Sequence, residues 1–362
     1  MAAAGASGLY VNPNTGAAQA GLAPFRNALI NGDMRINQRG TSANLASLST
    51  VATASPGSFV TDRWNAFRAV FAAGGVMGQG TNLTTGDLPF NDAGIKTFAR
   101  VGRLSGNAAT DPVYFAYNME SQDCYRFIGK TVTLSFYYRT GANFSGTSII
   151  GVIRTGAGID QNQRTGFTQQ TTAGINTYNS SALWQKISLI GTIGTNITQI
   201  GIMFQYTPVG TSSAADYFDI TGVQLELGSV ATPFEVRPYP VELQLCQRYC
   251  YRIPIMASAN SYSLIGIGSW ISANLASIYI SIPVTLRSSP SIFVENGFNS
   301  FAITPGGQDN PLPVTSISLN NVNANAVRLA VSYSSAGQTA GTGTIMYTNN
   351  QLLYSLIFPS EL

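Results

Sequence analysis

The sequence predicts an all-β chain: an antiparallel β-sandwich of the jelly-roll kind, a short linker helix, then a second small β-sandwich-like domain. Three observations carry this expectation. Apolar and polar residues alternate with period two in run after run, as in strands with one buried face. Clusters of Gly, Ser, Thr and Asn separate those runs, the punctuation of many short strands joined by turns. Only 241–252 changes to helical spacing, and prolines bracket it. At 362 residues the chain is long for one domain, so two β units are expected, over 25–240 and 253–362.

Residues 1–24, "MAAAGASGLYVNPNTGAAQAGLAP", read as a flexible N-terminal arm. Only Leu9, Tyr10 and Val11 could anchor it, around a turn at Asn12-Pro13-Asn14. No basic stretch precedes an apolar one, so this is not a signal peptide. Within 25–240 the run "TVTLSFYYRT" at 131–140 sets Val132, Leu134, Phe136 and Tyr138 against Thr131, Thr133, Ser135 and Tyr137. "ALWQKISLIGTI" at 182–193, "ITQIGIMFQYTPV" and "DYFDITGVQLELG" repeat the pattern. The intervening 154–181 is polar and reads as a loop or hairpin tip. In "VELQLCQRYCYR" at 241–252, Leu243, Cys246, Gln247 and Cys250 fall at helical spacing, after Pro238 and Pro240 and before Pro254. The block from 253 onward returns to strand-like text such as "NLASIYISIPVTLRSSPSIFV" and carries five charges: Arg287, Glu295, Asp309, Arg328 and Glu361.

Composition excludes several functions. The chain has 19 Lys and Arg, 16 Asp and Glu, and a net charge of +3. No two basic residues are adjacent, so the electrostatic grip for nucleic acid is missing. No apolar run is long enough to insert in a membrane. No histidine occurs, which removes His-based triads, His-containing zinc sites and an imidazole pH switch. Cys124, Cys246 and Cys250 are too few and too irregular for a disulfide framework or a zinc site. A surface with so few charges is best covered by other copies of the chain.

Acidic residues cluster in "DYFDITGVQLELGSVATPFE" at 216–235. In an unbroken strand Asp219 and Glu226 lie on opposite faces about 23 Å apart, too far for a glycosidase pair. A bulge at Gly222 would change that register. Asp216 and Asp219 are weak candidate ligands for a Ca²⁺, which takes six to eight oxygens; no other cofactor is expected. Trp64 reads as core. Arg35 and Arg39 are expected to pair with Asp62 or Glu226, and Gln38 to satisfy strand ends. Tyr137, Tyr138, Tyr206, Tyr217 and Tyr239 could form a sugar-binding stripe, or the rim of a sandwich.

Three stretches carry a resemblance: "NALINGDMRINQRG" at 27–40, "TDRWN" at 61–65 and "GVQLELGSVATPFEVRPYPVELQLCQRYCYR" at 222–252. Together they resemble a widespread family of tailed-bacteriophage and prophage virion proteins, tail-fibre or receptor-binding components whose core looks like a carbohydrate-binding-module jelly roll. The first stretch matches the family opening at Asn31, Gly32, Gln38, Arg39 and Gly40, with Arg35 a further structural residue inside it, and the second at Asp62, Arg63 and Trp64. The closing pattern matches at Gln224, Glu226, Pro233, Phe234, Glu235, Arg237 and Pro238, then at Cys246, Gln247, Arg248 and Tyr249. Position 250 departs from the pattern, with Cys where relatives more often carry an aromatic residue. The resemblance implies that these are fold residues and that the protein is a non-enzymatic virion component, made in the host cytoplasm. A tail fibre or receptor-binding appendage contacting the host surface fits best. A capsid head fibre or decoration protein is one alternative; a glycan depolymerase using carboxylates such as Glu120 and Asp160 is another. The implied partners are further copies in a homotrimer, other virion proteins docked by the 1–24 arm, and a host surface glycan.

Overall fold

The computed structural model describes residues 9–11, 18–20, 25–39, 58–59, 61–68, 75–253, 263–294, 297–305, 312–334, 337–348 and 356–361. Gly40, Pro254 and most of the 1–24 arm lie outside them. Within the arm, β1 (Leu9–Val11) and β2 (Ala18–Ala20) pair antiparallel.

The first unit contains β3 (Ser58–Phe59), β4 (Trp64–Arg68), β5 (Gly75–Gly80), helix α1 (Leu88–Ala93), β6 (Phe98–Arg103) and β7 (Val113–Asn118). It continues through α2 (Ser121–Cys124), β8 (Thr131–Thr140), β9 (Ser148–Gly156), β10 (Thr171–Asn179), β11 (Gln185–Thr192), β12 (Gln199–Tyr206) and β13 (Tyr217–Leu227). Two antiparallel sheets form, β10-β9-β12-β7-β4-β3 and β11-β8-β13-β6-β5. They face each other across one apolar core, as the sequence predicts. Trp64 stacks on Phe115 at 5.1 Å, and Phe136 from the opposite sheet meets Phe204 edge-on at 4.7 Å. Period-two alternation puts Val132, Leu134, Phe136 and Tyr138 of β8 into this core. The polar stretch expected as a loop contains a full strand, β10, paired with β9. Its alternation is hidden because β10 is an edge strand with most side chains in solvent.

β13 holds the bulge that the sequence left open. Its pairing with β8 shifts register between Thr221 and Gln224, and Gly222 has φ +59. The core residues therefore switch parity, from Phe218 and Ile220 to Val223 and Leu225. Asp219, Thr221, Gln224 and Glu226 consequently share the outer face.

The linker differs from its expected bounds. Helix α3 runs Tyr239–Gln247, with Pro238 as N-cap, and Cys250–Arg252 is a strand, β14. Helical spacing at 250 is coincidental: β14 pairs with β22 (Leu356–Pro359), which also pairs β17 (Phe293–Val294), and that ladder fixes an extended backbone. The C-terminal unit is a closed barrel where a sandwich-like domain was expected. Its strands are β15 (Leu264–Ser272), β16 (Leu275–Ser281), β18 (Phe301–Pro305), β19 (Leu312–Val322), β20 (Ala326–Tyr333) and β21 (Gly343–Thr348), in the order β15-β16-β20-β19-β18-β21. The last pairing, β15 with β21, removes both sheet edges. Trp270, Phe301 and Leu329 lie in its separate core.

Candidate functional site

Of the motif residues, Gln38, Arg39, Arg63, Arg248 and Tyr249 come together where the sandwich meets the C-terminal unit, and the other described ones tie the opening stretch to the closing one. Asn31, at φ +57, closes a tight turn: its side-chain oxygen accepts from Ile36 N at 2.9 Å, and its amide donates to Ile36 O and Asp62 O. Gly32 follows because a Cβ there would lie 2.2 Å from the Val223 carbonyl. Trp64 is fully buried, and its indole N–H donates to Asn31 O at 3.1 Å. Gln38 donates to the buried Asp62 carboxylate through its backbone N–H, 3.0 Å, and its side chain, 2.5 Å; the same amide nitrogen reaches Cys250 O at 2.6 Å. Burial pushes the Asp62 carboxyl up, against the pull of Arg39 and these Gln38 donors.

The arginines find other partners than expected. Arg35 bonds Arg237 O and faces Asp33 at 3.3 Å and Glu242 at 4.0 Å. Arg39 pairs with Glu361 at 3.0 Å. Glu226 instead takes Thr232 N, Thr232 Oγ1 and Gln224 Nε2. Neither Asp62 nor Glu226 forms the expected ion pair with Arg35 or Arg39, because α3 and the C-terminal strand bring Glu242 and Glu361 closer. Arg63 ties the sandwich to the C-terminal strand. Its guanidinium lies 3.4 Å from the Tyr249 ring centroid and 4.8 Å from that of Tyr117, donates to Asn118 O at 2.6 Å and binds Glu361.

The closing motif folds back on the opening one. Glu235 accepts from Asn27 N and Phe25 N, and its own N–H donates to Gln224 Oε1. Arg237 is buried and donates to Leu29 O, Asn27 O and Glu242. Pro233 offers its carbonyl to Arg26, and Phe234 packs on a small second core around Phe98, Tyr137 and Trp184. Arg248 grips Glu120 with two hydrogen bonds of 2.9 Å. Burial alone would raise the Glu120 carboxyl; hydrogen bonds from Arg248 and Tyr249, with the charges of Arg248 and Arg63, together outweigh it and hold it below its usual value. Cys246 is buried in the sandwich core, while Gln247 is half-buried at the end of α3. Asn27, Tyr117, Glu120, Glu242 and Glu361 belong to this junction yet escaped the motif reading. Asn27 and Glu242 sit inside the quoted motifs, whereas Glu361 pairs across 298 positions with no local signal.

The acidic cluster resolves into ion pairs. Asp216 is fully buried against Arg103 at 2.7 Å and accepts from Ser145 N and Oγ. Asp219, also fully buried, accepts two hydrogen bonds from Arg100 and one from Arg139. A calcium ion does not fit at either carboxylate, since guanidinium groups occupy the oxygens it would need. Among the described residues no group of three or more acidic or thiol side chains could hold a metal. The tyrosine stripe does not form: Tyr137, Tyr138 and Tyr206 are buried, Tyr217 is half-buried, and Tyr239 stands exposed on α3 with Arg35 5.9 Å from its ring centroid. The carboxylates of the junction are engaged by arginines or hydrogen-bond donors, and burial pushes its thiols up. Among the described residues, the geometry of this site holds two folded units together.

No family model matches the chain, and no curated protein does. Among solved structures, a family 4 carbohydrate-binding module is similar at 16% identity, covering 55% of this chain and 98% of its own, with a TM-score of 0.31. The family 22 xylan-binding domain of Paenibacillus barcinonensis Xyn10C is 16% identical over 46% of this chain and 92% of its own, TM-score 0.30. Another family 22 xylan-binding domain is 12% identical, with coverage of 53% and 100% and a TM-score of 0.30. The sandwich assignment rests on the strand order and register described above.

Proposed function

We propose that the protein is a non-enzymatic bacteriophage virion component, a tail fibre or receptor-binding appendage whose sandwich contacts a host surface glycan. One observation supports this best: the described residues that carry the resemblance are engaged in structural contacts, binding the opening stretch to the closing one and the sandwich to the C-terminal strand. Glu120, a carboxylate that a depolymerase would need, is spent on Arg248, and Asp160 accepts from Ser121 N at 2.8 Å and faces Arg287 at 3.7 Å. The chain works as a homotrimer through 253–362, where Leu264, Ile267 and Tyr279 are more than half exposed on the barrel exterior. Trimerisation multiplies a weak glycan contact into useful avidity. Labelling virions with antibody against the protein tests location, and signal confined to the capsid replaces the tail reading with a head-fibre one. Oligosaccharide released from host capsule or lipopolysaccharide, and lost in a Glu120→Gln variant, would overturn the non-enzymatic reading. Light scattering of the wild type against Ile267→Glu and Tyr279→Glu tests the trimer: a monomeric wild type refutes it.

A further inference from the structure

On the outer face of the five-stranded sheet, side chains form rows across the strands. One row is fixed by register: Arg100 on β6, Asp219 on β13 and Arg139 on β8 lie directly opposite one another. The next row toward the end of the sheet holds Gly102 and Tyr217. On the other side, Phe98 and Tyr137 are covered by the 81–97 segment that carries α1, through Leu83, Leu88, Phe90 and Ile95. Among the described residues, that segment caps the Phe98 and Tyr137 side of the face, while Arg100, Arg139 and Tyr217 beside it stay partly exposed.

Two guanidiniums at the border of the capped side share one buried carboxylate. Asp219 accepts Nε and Nη2 of Arg100 and Nε of Arg139. Nη1 of Arg100 and both Nη atoms of Arg139 make no hydrogen bond among the described residues, and the two side chains are 19% and 25% exposed. The other carboxylate in reach is Asp87, whose Oδ1 stands 3.9 Å from Arg139 while Oδ2 accepts from Thr84 N. The cations are held rigidly: Arg100 lies 3.5 Å from the Tyr217 ring centroid, and Arg139 4.8 Å from that of Trp184. The half-buried Tyr217 hydroxyl makes no hydrogen bond among the described residues either. Excess donors in fixed, planar geometry match a ligand that brings a carboxylate together with hydroxyls.

We propose that this partly exposed border of the face binds an acidic saccharide, its anionic group held by Arg139 and Arg100 and its hydroxyls by Tyr217. The inference rests on the reading that the sandwich contacts a glycan, and it names the class of that glycan. The test is calorimetric titration of the full chain with oligogalacturonate, a neutral galacto-oligosaccharide of equal length, mannose 6-phosphate and inorganic phosphate. Oligogalacturonate is expected to bind, at least tenfold weaker in Arg139→Gln and severalfold tighter in Asp87→Asn. Arg139→Lys keeps the charge without the planar fork and is expected to fall between. Equal thermal melting of Arg139→Lys and wild type separates lost contacts from lost folding. Tighter binding of mannose 6-phosphate than of the uronate moves the ligand from a carboxylate to a phosphate sugar and overturns the carboxylate assignment. Inorganic phosphate competing as well as either sugar, or uronate binding unchanged in a folded Arg139→Gln, overturns the proposal. Binding of the neutral sugar alone overturns it while leaving the glycan reading intact; binding of neither class overturns both.

Discussion

Replacing Glu361 with Ala tests whether the two units are joined by buried charge. The Glu361 side chain is 3% exposed; one oxygen pairs with Arg39 at 3.0 Å and the other with Arg63, itself 2% exposed. Removing one member of a buried ion pair costs about 3–5 kcal/mol, because the remaining charge stays desolvated. Arg63 cannot swing into water: it lies between Tyr117 and Tyr249 and still donates to Asn118 O. The strand itself should stay docked, since Arg287 holds the carbonyls of Ser360 and Glu361 at 3.0 and 2.8 Å. A domain of this size loses about 2–4 °C in Tm per kcal/mol, so the sandwich transition should fall by about 6–20 °C in scanning calorimetry. The barrel, whose core contains neither arginine, should move less. Combining Glu361→Leu with Arg63→Met removes the most buried pair, leaving only the more exposed Arg39 without its carboxylate, and should recover part of the loss. A sandwich transition within about 2 °C of wild type in Glu361→Ala, or a double variant worse than the sum of the singles, would refute the argument.

Gly222→Ala should destabilise the sandwich by about 1–3 kcal/mol, because φ is +59 and the new Cβ would sit 2.6 Å from the Tyr137 ring; urea melts at fixed m-value read this directly. Burial pushes the Asp33 carboxyl up to about 6, with Arg35 opposing and Glu242 assisting. The folded state thus holds that proton more tightly than the unfolded chain, so this stabilising contribution is present below about pH 4 and lost as pH rises through 6, on the order of 3 kcal/mol in all. Asp33→Asn should flatten that part of the difference between the two stability–pH curves, and parallel curves would contradict it. Burial raises all three thiols, Cys124 to about 12. Ellman's reagent at pH 8 should label none in the native protein and three after denaturation.

Much of the sandwich was legible because strand alternation is a local property. The period-two text of 131–140 and 216–228 reports which side chains face apolar surroundings, whatever the path of the rest of the chain. Trp64 as core and Gly222 as a bulge position were visible for the same reason: ring size and missing Cβ act where they stand. Pairing is different. Arg39 and Arg63 could have met any carboxylate, and the choice of Glu361 follows only once β22 has docked on β14. Strand β10 was lost to the eye because an edge strand needs no apolar alternation, and the barrel because closure depends on β15 meeting β21 rather than on either strand alone. Cys250 joined a strand against its helical spacing because a backbone ladder outweighs the propensity of three residues. The sequence by itself determined which apolar strand residues would face a core; the long-range path of the chain decided which charges would be buried together.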